Sequence, residues 1–294
     1  FFGYEANSAG LARIFWFFEQ ALTIVVLTKF CGFLFKDDKL TLVLVIFMYL
    51  MLKSGETDQK TMLRPLHFLA IYYFLKEKWI LAAIFSASIF YLHIGVAIWC
   101  FVPSCFALCL VYLFKNKRID FFQIIMFSGM VSLLASPIVY YYIGSTINGE
   151  NFTYNEFLNH YWYGTVNNSV LYEIIYDPKA LAMLLLKVTV LTVGYKKWVL
   201  SGGSNDYLVP IAFGVLFLYI LDFVLVDIMF NGIAIKLQLL RSVLNIDFFM
   251  SLFFAFLISG QLRKGNIVFF VAFLMILLTP IPFWEFYSPI DRWS

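Results

Sequence analysis

Arg64-Pro65 is the first pair in this chain equipped to hold an anion. Proline suits the start of a helix, where its missing N–H costs nothing. The free N–H groups of a helix start, with a planar guanidinium beside them, match a phosphate. The plainer reading is an arginine that reaches up to lipid headgroups. A second polar set, Lys236, Gln238 and Arg241, precedes another apolar run and serves either as a phosphate-binding cluster or as a headgroup anchor. His93 interrupts a long apolar run. A histidine there is a satisfied structural residue, or it bonds a substrate and moves protons near neutral pH. His160 lies in Asn159-His160-Tyr161-Trp162-Tyr163, an aromatic stretch suited to a lid or an interfacial helix beside the same site.

Five further charges sit deep in apolar sequence: Glu19, Lys187, Asp222, Asp227 and Asp247. Such groups are expensive in hydrocarbon and face a cavity or a partner. Asp222 is one counter-charge for Lys187. Asp227 and Asp247 fall close to Lys236 and Arg241, where ion pairing is the simplest use. The sequence has no metal-ligand spacing, phosphate loop, nucleophile elbow or dinucleotide fingerprint. Cys31, Cys100, Cys105 and Cys109 all lie in apolar runs and read as small buried hydrophobes.

These residues need a scaffold, and composition names its class. Hydrophobic residues make up 62% of the 294 and charged residues 13%, with mean hydropathy +0.85. Soluble domains are about 45–50% apolar and about 25% charged. Continuous apolar runs exclude the alternating pattern of a membrane β-barrel. The class is therefore all-α, a polytopic transmembrane bundle of eight to ten helices forming one domain over 1–294. The net charge of +3 is scattered, with no basic stripe for nucleic acid. The chain begins at Phe1 without a signal-peptide pattern, so an upstream segment is expected.

Apolar segments fall at 11–35, 40–52, 65–75, 79–92, 95–114, 119–143, 179–195, 207–230, 242–259 and 266–284. A full crossing needs about 20 residues. The segments 40–52 and 65–75 are too short to cross upright and read as broken or re-entrant helices inside the bundle. The run Trp79–Phe114 is too long for one crossing, so it turns back at His93. Lysine clusters at 36–39, 76–78, 115–118, 196–197 and 263–264 alternate onto one side, the cytoplasmic one by the positive-inside rule. The opposite side collects Glu5, Glu56, Asp58, Arg64, His93, the loop 144–178 and the stretch 231–241. That places a polar site on the outer face.

Thr61-Met62-Leu63-Arg64-Pro65-Leu66-His67-Phe68-Leu69-Ala70, the turn Lys76-Glu77-Lys78-Trp79-Ile80-Leu81-Ala82-Ala83 and Leu92-His93 together resemble GT-C-type membrane glycosyltransferases. They are most similar to an uncharacterised bacterial family of polytopic proteins with that architecture. Leu237-Gln238-Leu239-Leu240-Arg241-Ser242 resembles a second pattern of that group. These motifs cover about a quarter of the chain. The resemblance implies sugar transfer from a polyprenyl-phosphate carrier, in a bacterial inner membrane, at an outward-facing site. Arg64, Lys236 and Arg241 would hold the phosphate, with Gln238 and His160 beside it. Glu5 or Asp58 would act as base or as a metal-assisted partner toward the acceptor, with His93 as a further acid/base. A divalent cation is implied by the family alone. Two other functions fit the same sequence. One is a non-catalytic subunit of a larger membrane assembly. The other is a secondary transporter, which usually shows broken helices in both halves, whereas here they occur in the first half only.

Overall fold

The computed structural model describes residues 8–36, 38–52, 63–114, 121–146, 178–231, 234, 237, 239, 242, 244–268 and 271. Every regular element among them is helical. Nine α-helices follow in order: α1 (Ser8–Phe35), α2 (Lys39–Leu52), α3 (Arg64–Leu75), α4 (Trp79–Leu92), α5 (Ile94–Phe114), α6 (Phe121–Thr146), α7 (Pro178–Leu200), α8 (Leu208–Asp222) and α9 (Leu244–Leu262). A π-helical turn, Phe223–Ile228, continues α8. Among the described residues, five stretches are long and apolar enough to cross a membrane: Phe17–Phe35, Ile94–Phe114, Phe121–Tyr142, Leu208–Ile228 and Asn245–Leu262. The chain is accordingly read as a multi-pass membrane protein. α7 has the length but not the apolarity, since Lys179, Lys187, Lys196 and Lys197 interrupt it. The expected segment 266–284 lies almost wholly outside the described residues, as does most of the loop 144–178.

Helix ends follow local chemistry. Asp38 caps α2: its carboxylate accepts the Thr41 amide at 3.2 Å and the Thr41 hydroxyl at 2.6 Å. Gly202 and Gly265 take positive φ just past α7 and α9, the left-handed exit that glycine adopts without strain. α3 starts with Arg64 at its first position and Pro65 at its second, with Leu63 as cap.

The α4–α5 hairpin turns at His93, whose backbone is extended at φ −162° and ψ 107°. The His93 amide donates to the Ile89 carbonyl and closes α4, while its own carbonyl accepts the Ala97 amide and opens α5.

α9 and α3 form the middle of the bundle. α9 packs on α7 and α2, α3 packs on α4 and α1, α5 packs on α8, and α4 packs on α6. Aromatic rings lock the centre: Phe68 stacks on Phe248 at 3.8 Å, and Phe30 meets Phe248 edge-on at 4.8 Å. Cys31 and Cys100 are buried, as their apolar setting predicts, but Cys105 is half-buried and Cys109 exposed on the outward face of α5. An apolar run in a membrane does not say which residues face protein and which face lipid.

One end of the bundle gathers the turns between helices. Arg263, just past α9, pairs with Asp38 in the α1–α2 turn. The Trp198 indole donates to the Leu34 carbonyl at 2.7 Å, and Asn205 donates to the Leu75 carbonyl at 3.1 Å. The Lys76 ammonium lies over the rings of Phe33 and Tyr72. Among the described residues this end carries Lys36, Lys39, Lys76, Lys78, Lys196, Lys197, Arg263 and Lys264 against Asp38, Glu77 and Asp206. It is called the basic end below.

Candidate functional site

Depth can be counted from the basic end. Tyr207, at the start of α8, meets the rings of Phe74 and Trp79, so α3, α4 and α8 share a base level. From that level α8 and its π turn rise about 30 Å at 1.5 Å per residue. α3 rises only about 17 Å to Arg64, and α4 about 20 Å to Leu92. Arg64 and His93 thus lie lower than the far end of α8 and its π turn, level with the starts of α5 and α9.

A buried polar network ties together the start of α3, the start of α5 and the chain at Leu237. His67, one turn into α3 on the Arg64 face, lies 2.5 Å from Asn245 Oδ1 through its Nε2. The Asn245 amide donates to the Trp99 carbonyl at 2.8 Å. With the amide nitrogen so engaged, Oδ1 accepts, and the His67 proton sits on Nε2. The Trp99 indole then donates to the Leu237 carbonyl at 3.1 Å. Cys100 Sγ faces the His67 carbonyl at 3.9 Å. A Cβ placed on Gly95 would lie 3.1 Å from the Leu237 carbonyl oxygen and 3.2 Å from His93 Cε1. A side chain there would be tight, because the chain at Leu237 lies close against the start of α5.

His93 itself is half-buried, and its Nδ1 accepts the Val96 amide at 3.3 Å, capping α5. Its Nδ1 therefore has a structural role at the start of α5. The structure brings His93 and Leu237 together and joins them to the Arg64 helix through Trp99, Asn245 and His67. Glu5, Glu56, Asp58, His160, Lys236, Gln238 and Arg241 lie outside the described residues.

The deep charges are handled inside the bundle. The carboxylate found against Lys187 is that of Asp247, at 2.7 Å, which ties α7 to α9. The sequence offered Asp222 as one counter-charge for Lys187 and placed Asp247 near Lys236 and Arg241, which lie outside the described residues. Asp222 is fully buried at the junction of α8 and the π turn, and Glu19 is buried in α1. π turns displace side chains out of α-helical register and recur at functional sites. On α1, Gln20 and Thr23 are also buried, and the Gln20 Oε1 and Thr23 Oγ1 atoms have no hydrogen-bond partner among the described residues.

His67, Trp99 and Asn245 escaped the sequence reading. The available signals were the i, i+3 spacing of Arg64 and His67 and an asparagine within an apolar run. Among the described residues no three His, Cys, Asp or Glu side chains gather to hold a metal ion. No family model, curated protein or solved structure matches the chain.

Proposed function

We propose that this protein transfers a sugar from a polyprenyl-phosphate carrier at a recess above Arg64 and His93, on the outer face of the membrane, as its GT-C-like motifs imply. The observation that supports this reading is Arg64 at the N-terminus of a twelve-residue helix too short to cross an apolar layer. A helix start directs free N–H groups and the positive end of its dipole at whatever lies above it. With a guanidinium beside it, such a start suits a phosphate carried on a lipid. In this reading Arg64, Lys236, Gln238 and Arg241 hold the phosphate, and the loop with His160 covers it. Glu5 or Asp58 takes the acceptor proton, and His93 is the alternative group for that step.

Purified protein in lipid nanodiscs should bind a short-chain polyprenyl phosphate. Arg64→Lys should weaken binding although the charge is kept, because the bidentate fork is lost. Glu5→Gln should leave binding near wild type and remove turnover. Wild-type protein that stays folded but binds no polyprenyl phosphate would sink this reading. A second reading, a non-catalytic subunit of a membrane assembly, is favoured by α6, whose membrane span is only 17% buried. It predicts co-purification of a stoichiometric membrane partner and no sugar transfer by the isolated chain.

A further inference from the structure

A crevice of about 250 Å³ lies between α7 and α8, with α9 as its floor. Leu191 and Tyr195 form one wall, Ala212 and Leu216 the other, and Phe249 and Phe253 the base. The Thr192 hydroxyl at its edge is turned back onto the Val188 carbonyl at 2.7 Å, so the wall presents no free polar group there. Phe213, at the mouth, is 54% exposed, so the crevice opens sideways toward lipid.

Its walls are held apart by construction. A Cβ on Gly194 would lie 2.6 Å from Phe253 Cβ, so α7 is pressed against α9. A Cβ on Gly214 would lie 2.6 Å from Pro103 Cα, so α8 is pressed against α5. With each wall fixed to a different neighbour, the gap cannot close. Apolar cavities stay dry, and one of about 150 Å³ accepts benzene. By that measure this one takes about ten carbons of a hydrocarbon chain.

The crevice runs from Val188 and Ile246 down to Tyr195 and Leu208, and so terminates at the basic end. Lys196 follows Tyr195 directly and is exposed. Among the described residues that end carries eight cations against three carboxylates. An anionic headgroup is the complement of that surface.

We infer that the crevice seats one acyl chain of an anionic phospholipid, with its phosphate at Lys196. This site is separate from the recess and does not depend on the proposed transfer reaction.

The test uses the full chain in nanodiscs doped with phosphatidylglycerol or phosphatidylcholine, each carrying a photoactivatable group in mid-chain. Cross-links mapped by mass spectrometry should concentrate on the peptides that hold Tyr195, Phe213 and Phe253, several-fold more for phosphatidylglycerol. Ala212→Trp, which fills the crevice, should remove them while leaving labelling of α6 unchanged. Lys196→Ala, at an exposed position that does not endanger folding, should bring the two lipids to equal labelling. Cross-links spread evenly over all lipid-facing helices, or unaffected by Ala212→Trp in protein that melts normally, would overturn the acyl-chain site. Equal labelling by the two lipids in the wild type would overturn the headgroup assignment.

Discussion

Asn245 makes two bonds that few residues of its size can make together. Its amide oxygen accepts from His67 while its amide nitrogen donates to Trp99, so aspartate and leucine each lose at least one bond. Asn245→Leu should cost about 1–3 kcal/mol for each buried group left without a partner. The double variant His67→Phe/Asn245→Leu should lose less than the sum of the two singles, since they share one bond. Denaturant unfolding in mixed micelles measures both, and strict additivity would show that the pair is not coupled.

Asp38 gives a prediction of another kind. Burial pushes its carboxyl up, but the Thr41 hydroxyl and amide and the Arg263 guanidinium outweigh burial and hold it below the usual aspartate range. A carboxyl depressed in the fold contributes stability above its unfolded value of about 3.9, and loses it as pH falls through the lower folded value. Wild type should therefore be more stable than Asp38→Asn at pH 7, and the difference should shrink below about pH 4. A difference that stays constant across that range would refute the assignment.

At the scale of elements, two glycines set how closely helices approach. Gly194→Ala and Gly214→Ala each place a methyl group 2.6 Å from a neighbour. Each should destabilise the bundle by about 1–3 kcal/mol through overpacking, and Gly129→Ala, whose nearest atom would be 3.9 Å away, should not. A thermal-stability series in one detergent tests all three. Most element boundaries were legible in the sequence to within a few residues. The predicted 65–75 and 79–92 became Arg64–Leu75 and Trp79–Leu92, because charged turns interrupt apolar runs wherever a chain leaves the hydrocarbon. The turn at His93 was legible for the same reason: one helix from Trp79 to Phe114 would overrun the bilayer. The π turn at Phe223–Ile228 was not, because nothing in Phe-Val-Leu-Val-Asp-Ile distinguishes π from α winding. Nor were the partners of Lys187 and His67, since local periodicity gives a face and only packing gives its neighbour.

Over the whole molecule, the turns at 36–38, 76–78 and 201–206 and the residues after Leu262 share one end, as the lysine pattern predicts. Cysteines introduced at Asn116, Lys197 and Lys264 should label from one side of the membrane, and those at Asp58, Asn155 and Gln238 from the other. Mixed labelling would remove the outward orientation proposed for the recess. The half-length of α3 also bears on how the protein is made. Twelve residues that begin with an arginine cannot be recognised as a crossing during synthesis, where about 20 apolar residues are needed. Lys76-Glu77-Lys78 then fixes the far end of α3 on the side where α4 begins. The surface that α3 packs on is supplied by α1 and α4. Damage to the α1–α3 contact should therefore appear as failed biogenesis before it appears as lost binding.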